Sequence, residues 1–196
     1  MISPGAHVVR IGEDAGRAAL LVDGVVQSIS PLDGLATGGY WAAMVPSVRP
    51  KRALILGLGG GTLARLIQVR WGLDVRIVGV DDDVAIIETA RAAGWLPQAG
   101  VEVVVEDAFE YVHQTADRFD YLAIDLFRGQ EIARRIFAKG FLRRARAVLT
   151  TRGWLVINLF RDRREAHRLE RIAALFEVRE CRRVGGNTLV HAQKRG

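Results

Sequence analysis

The stretch "RALILGLGGGTLARL", Arg52 to Leu66, runs from an apolar segment through four glycines in five residues and straight into a helical pattern. Ala53 to Leu56 is too short for a helix and too apolar for an exposed strand, so it reads as a buried parallel strand. From Thr62 onward, Leu63, Leu66 and Ile67 recur at helical spacing and predict an amphipathic helix. Between the two lies bare backbone. A strand, a glycine turn and a helix leave free N–H groups at the helix start and let a ligand approach the main chain closely.

The same unit repeats along the chain. "DVRIVGV" (74–80) predicts a second strand and "VAIIETARAAG" (84–94) a helix closed by glycine. "VEVVV" (101–105) is a third strand, 108–115 a short helix and "FDYLAID" (119–125) a fourth strand. A helical region over 131–149, broken near Gly140, leads to a fifth strand, "GWLVINLF" (153–160). Alternation of this kind predicts an α/β fold: a doubly wound, mostly parallel sheet covered on both faces. The tail differs, because "FEVRECRRV" (176–184), "GGN" and "TLVHAQ" (188–193) read as an antiparallel hairpin. A sheet that closes in this way has the order of the class I methyltransferase (Rossmann-like) fold. Residues 1–46 form a short N-terminal β extension with a helix at 40–45, and 47–196 the binding domain.

Composition narrows the function classes. No window reaches the roughly eighteen apolar residues of a membrane span, and no signal segment is visible, so the expectation is a cytoplasmic protein with no membrane partner. Cys181 is the single cysteine, and the four histidines lack metal-ligand spacing with it, so no metal is expected. The net charge of +6 raises the question of nucleic acid. Its densest run, "RDRREAHRLER" (161–171), also carries Glu165 and Glu170 and leads into apolar positions, which reads as a solvated helix face. A nucleic-acid partner is therefore not expected.

Ligands of open parallel sheets gather beyond the carboxyl ends of the strands. Each predicted strand end here is bare or acidic: "GLGGG", then Asp81, Asp82 and Asp83, then Glu106 and Asp107, then Asp125. A carboxylate about twenty residues beyond a glycine loop suits the two hydroxyls of a ribose, and Asp81 stands there, while Asp83 suits the cap of the next helix. Asp107 is open to two readings, a helix cap or an acceptor for the exocyclic amine of an adenine. Asp125 ends an apolar strand, where an ionised carboxylate is costly unless it faces a polar ligand or a cleft.

At these residues the chain resembles the spermidine-synthase group of aminopropyltransferases, a branch of the methyltransferase fold, from "LLVDGVVQ" to about Leu159. "VDGVVQ" (22–27) is similar to that family's entry motif, which implies that Gln27 contacts a nucleoside cofactor. "ILGLGGGTLAR" corresponds to its glycine loop, implying cofactor contacts at Gly57, Gly59, Gly60 and Gly61. "VDDDVAIIETAR" places Asp81 on the ribose acid with Asp82 beside it, and "VEDAFEYV" places Asp107 and Ala108 on the adenine pair. "FDYLAIDLF" puts Asp125 on the catalytic proton acceptor. The resemblance implies S-adenosylmethionine or its decarboxylated form as cofactor, a small-molecule acceptor and, by analogy, a homodimer.

The departures fall at the other end of the substrate. The family's loop carries an aspartate for the aminopropyl amine where this chain has Gly60, and its second strand-four carboxylate is replaced by Arg128. "GGYWAAM" offers Tyr40 and Trp41 but no glutamate for the family's substrate segment. These losses count against aminopropyl transfer to a polyamine, and Arg128 and Lys51 raise an anionic acceptor instead. The expected function is a spermidine synthase-like transferase, the alternatives being a small-molecule methyltransferase or a nucleoside-binding module without catalysis.

Overall fold

The computed structural model describes residues 7–30, 39–128 and 131–196, with only the backbone of Arg128 and Glu131. Strands β1 (Val9–Asp14), β2 (Arg17–Val22) and β3 (Val25–Ile29) form an antiparallel three-stranded sheet, followed by the one-turn helix α1 (Trp41–Met44). The alternating part contains β4 (Arg52–Leu56), α2 (Thr62–Trp71), β5 (Arg76–Asp81), α3 (Val84–Ala92), β6 (Val101–Val105), α4 (Ala108–Gln114) and β7 (Phe119–Ile124). A two-residue ribbon, β8 (Phe127–Arg128) with β9 (Glu131–Ile132), and a 3-10 turn, Arg134–Phe137, lead to α5 (Lys139–Val148) and β10 (Leu149–Phe160). Helix α6 (Glu165–Ala173) and the hairpin β11 (Glu177–Val184) with β12 (Asn187–Gln193) complete the chain.

The main sheet has seven strands in the order β11-β12-β10-β7-β4-β5-β6. Strands β6, β5, β4, β7 and β10 are parallel, and β12 enters antiparallel beside β10. The expected fold class, with its parallel sheet, closing hairpin and N-terminal β extension, is the one observed. Strand order reverses between β4 and β7, which puts the topological switch point at the glycine loop.

Each face of the sheet buries its own cluster. Ala53, Ile55, Ile77, Tyr121, Ala123 and Val156 face α1, α2 and α3; Leu54, Leu56, Val78, Leu122, Ile124 and Ile157 face α4, α5 and α6. The alternation within β4, 53 and 55 against 54 and 56, is the two-residue period of a strand covered on both sides. The N-terminal sheet has no separate core: Ala19, Leu20, Leu21 and Ile29 join the cluster of α2 and α3.

Two local expectations change. The helix expected over 131–149 begins only at Lys139, because Ala138 takes an extended backbone (ψ 134°) and the residues before it form β9 and the 3-10 turn; Gly140 lies inside the helix. The basic run is not wholly a solvated face. Arg168 is buried, donating to the Phe160 carbonyl at 3.2 Å and to Asp162 at 2.8 Å, and Arg171 donates to the Phe137 carbonyl at 2.8 Å.

Candidate active site

The strand tips around the switch point are laced by backbone hydrogen bonds. Asp125 N–H donates to the Leu56 carbonyl (2.8 Å), Gly57 N–H to Val80 (2.9 Å) and Glu106 N–H to Asp81 (3.2 Å). The ends of β7, β4, β5 and β6 therefore form one continuous rim that carries Asp125, the glycine loop, Asp81 and Asp107.

The loop needs its glycines for space as well as conformation. Gly57 has φ +87°, and a Cβ there would stand 2.2 Å from the Asp125 carbonyl oxygen. Gly59 has φ +54°, with Ser28 Oγ 2.9 Å from its Cβ direction, and Gly61 (φ +82°) lies against Leu96. All three φ values sit at positive φ, the region that side chains resist. Gly60 is packed differently: its N–H donates to the buried Ser28 Oγ at 2.7 Å, and its Cβ direction meets Ser28 Cβ at 2.8 Å and Trp95 at 3.1 Å. The N-terminal sheet thus supports the loop from beneath, helped by Thr62, whose hydroxyl donates to the Ile29 carbonyl at 2.7 Å. Gln27 is half-buried on β3, with its backbone carbonyl 3.8 Å from the Cβ direction of Gly59.

Asp81 is tied to the loop it faces. Its Oδ2 accepts from Gly59 N–H at 2.8 Å and its Oδ1 from Asp83 N–H at 3.1 Å. Burial raises its pKa, against the lowering effect of these two amide donors. Asp82 is exposed. Asp83 caps α3 by accepting from Ile86 N–H at 3.1 Å, as its position in the sequence suggests, and pairs with His7 at 2.6 Å.

Asp107 is the cap of α4, its Oδ1 accepting from Phe109 N–H at 2.6 Å and Glu110 N–H at 3.3 Å. Its Oδ2 stands 3.5 Å from Arg135, whose guanidinium lies over the Phe109 ring at 4.2 Å. The cap occupies one oxygen and leaves the other at the rim. Ala108 follows, buried, as the first residue of α4.

Asp125 is the most strongly perturbed carboxylate. Tyr40 O–H donates to its Oδ2 at 3.0 Å and Asn158 Nδ2 to its Oδ1 at 2.8 Å. Burial pushes its pKa up to about 6; the Asn158 and Tyr40 hydrogen bonds oppose the shift, while the charge of Asp81 adds to it. Burial and the neighbouring Asp125 charge raise the Tyr40 hydroxyl as well, so that group keeps its proton and donates. A carboxylate held near neutral pKa between two donors is suited to accept a proton near neutral pH.

Asn158 and Tyr40 are the members of the site whose roles sequence reading missed. Asn158 is 1% exposed in the apolar second half of β10, and its Oδ1 is buried with no hydrogen-bond partner among the described residues. A polar residue inside "LVINLF" was the available signal. Lys51 does not join the site, because it precedes β4 and so lies at the opposite end of that strand from the loop. The Arg128 side chain lies outside the described residues.

The chain as a whole is similar to known proteins. The chain is 35% identical over 163 residues to a polyamine aminopropyltransferase of Pyrobaculum neutrophilum, an alignment covering 76% of this chain and 55% of that protein. It spans about half the length of the curated relatives it matches. A probable spermidine synthase from Corynebacterium glutamicum superposes with a TM-score of 0.76 at 18% identity, over 96% of this chain and 77% of that one. A spermidine synthase in complex with the transition state analogue AdoDATO gives a TM-score of 0.69 at 18% identity, over 98% and 70%. At those identities the structures speak for the fold alone. The profile of the spermine/spermidine synthase domain matches residues 41–174, most of the chain, and the protein accordingly belongs to the spermine/spermidine synthase family.

Proposed function

We propose that this protein binds decarboxylated S-adenosylmethionine, or S-adenosylmethionine itself, across the tips of β4, β5 and β6 and transfers a group to a small amine, with Asp125 as proton acceptor. The observation that carries the reading is Asp125 itself, buried, raised to about 6 and held by Tyr40 and Asn158 beside the glycine loop. The chain's residues fit such a cofactor in kind: Asp81 at the end of β5 and Asp107 at the start of α4 bring two carboxylates to neighbouring strand ends beside the glycine loop.

When bound, the cofactor would supply a sulfonium-activated carbon as the electrophile, and Asp125 would take the proton that the attacking amine gives up. Asp81 is the proposed partner of the ribose hydroxyls, with Asp82 beside it, and Asp107 and Ala108 of the purine. Gln27, Gly57, Gly59, Gly60 and Gly61 form the remaining cofactor wall. Tyr40 and Asn158 orient the Asp125 carboxylate, and Asn158 Oδ1, without a partner among the described residues, offers an acceptor for a second N–H of the amine. The chemistry is in-line displacement, so positioning supplies most of the rate and the base removes one proton.

Aminopropyl transfer is the favoured form, since the curated relatives are polyamine aminopropyltransferases. That weighs against the reservation drawn from Gly60 and Arg128. A second reading, methyl transfer to a small molecule, is favoured by Gly60, which brings no carboxylate and whose side-chain direction is closed by Ser28 and Trp95. Turnover with each cofactor and a panel of diamines, read by mass spectrometry, separates the two. Aminopropylated product from the decarboxylated donor supports the first reading; methylated product supports the second, and no product with either leaves a binding module. Asp81→Asn is expected to weaken 5′-methylthioadenosine binding by about tenfold or more by calorimetry. The division at residues 46 and 47 and the pairing of two copies are part of the proposal; light scattering reads the second. Among the described residues no helix is long and apolar enough to cross a membrane.

A further inference from the structure

Helix α1 is four residues long and has no side-chain cap at its start. A single turn does not hold itself together in water, yet the residue just before it, Tyr40, places its hydroxyl 3.0 Å from Asp125 Oδ2. Its far end is gripped from two separate elements. The Tyr121 hydroxyl of β7 donates to the Met44 carbonyl, and Trp71 Nε1 at the end of α2 donates to the Pro46 carbonyl at 3.0 Å. The Met44 carbonyl is one that a helix end leaves without an intrahelical donor, and the Pro46 carbonyl lies two residues beyond it on the exit from the helix. Tyr121 is 2% exposed and lies on the same face of β7 as Asp125, four residues away, so one strand holds α1 at both ends. Tyr40 is further fixed by stacking on Trp41, with ring centroids 4.4 Å apart.

We propose that Tyr121 and Trp71 are positioning residues: by holding the Met44 and Pro46 carbonyls they fix α1 so that the Tyr40 hydroxyl rests on the Asp125 carboxylate. Neither touches the candidate site. A phenylalanine fills the volume of Tyr121 but offers no donor, so the hydroxyl and not the ring carries the role. The consequence for turnover rests on the functional reading above, whereas the contact itself is read without turnover.

The test is a carboxyl NMR titration of Asp125, assigned with Asp125→Asn, in the wild type, Tyr40→Phe, Tyr121→Phe, Trp71→Phe and the Tyr40→Phe/Tyr121→Phe double variant. Loss of the Tyr40 donor raises the Asp125 midpoint, because that hydrogen bond favours the ionised form. Tyr121→Phe and Trp71→Phe are expected to raise it in the same direction, by about half a pH unit or more, on the scale of a lost hydrogen bond. In the double variant Tyr121→Phe adds nothing to Tyr40→Phe. The proposal is overturned if both Tyr121→Phe and Trp71→Phe lower the melting temperature while leaving the midpoint at its wild-type value, or if the shifts add in the double variant. Trp71→Phe carries the test should Tyr121→Phe fail to fold. Because the midpoint is read on the protein without substrate, a failed activity assay does not affect the result.

Discussion

Gly57 lies against the Asp125 carbonyl so closely that a Cβ on it would stand 2.2 Å from the oxygen. Strand β4 therefore hands the chain to its loop at the point where β7 delivers the candidate base, and the two cannot be separated without moving both. Gly57→Ala meets two obstacles at once, a φ of +87° and a backbone clash that no rotamer relieves. The expected loss is roughly 2 kcal/mol or more in urea unfolding. Gly140→Ala, in open space inside α5, is expected to be neutral or stabilising.

Asp125 links pH to both stability and turnover. Its folded pKa of about 6 lies above its ordinary value, so its contribution to stability is full below about pH 4 and is lost as pH rises through about 6. Asp125→Asn is expected to remove that part of the pH dependence and to be the more stable protein above pH 6. Its turnover is expected to fall by about a hundredfold or more, the scale of a lost general base. In the wild type, kcat/KM is expected to rise with pH through a limb near 6, where the carboxylate of the free protein ionises.

Asn158 holds the ionised form of that carboxylate. Asn158→Leu removes the donor at 2.8 Å and leaves the burial, so the acid limb moves to higher pH. A limb unmoved in Asn158→Leu, measured alongside the wild type, counts against a role for this contact in setting the base.

The arginines in and just before α6 divide by what they touch. Arg168→Ala breaks donations to the Phe160 carbonyl and to Asp162 and removes a cation from the Phe137 ring, and is expected to cost about 1.5–3 kcal/mol in thermal or urea unfolding. Arg163→Ala, at an exposed position, is expected to change stability by no more than about 0.5 kcal/mol.

The alternation of apolar strands and amphipathic helices determined the sheet, and the bare or acidic residues at each strand end marked out the proposed candidate site. Both are local signals: a strand buried on two faces must be apolar throughout, and its tip must change character where it meets solvent or ligand. The cap at Asp83 was legible for the same reason, since a short side chain before a helix has its partners within three residues.

What only the tertiary structure decided are the contacts made across long separations. Tyr40 meets Asp125 across 85 residues and Asn158 meets it across 33, while the ends of α1 are held from β7 and α2. No periodicity records such pairings, because they depend on which strand lies next to which; in sequence Tyr40 is only an aromatic beside Trp41, and Asn158 only a polar interruption in β10. The helix expected over 131–149 was not fixed by propensity either: Ala138 takes an extended backbone between the 3-10 turn and α5, although alanine and the lysine after it are good helix formers.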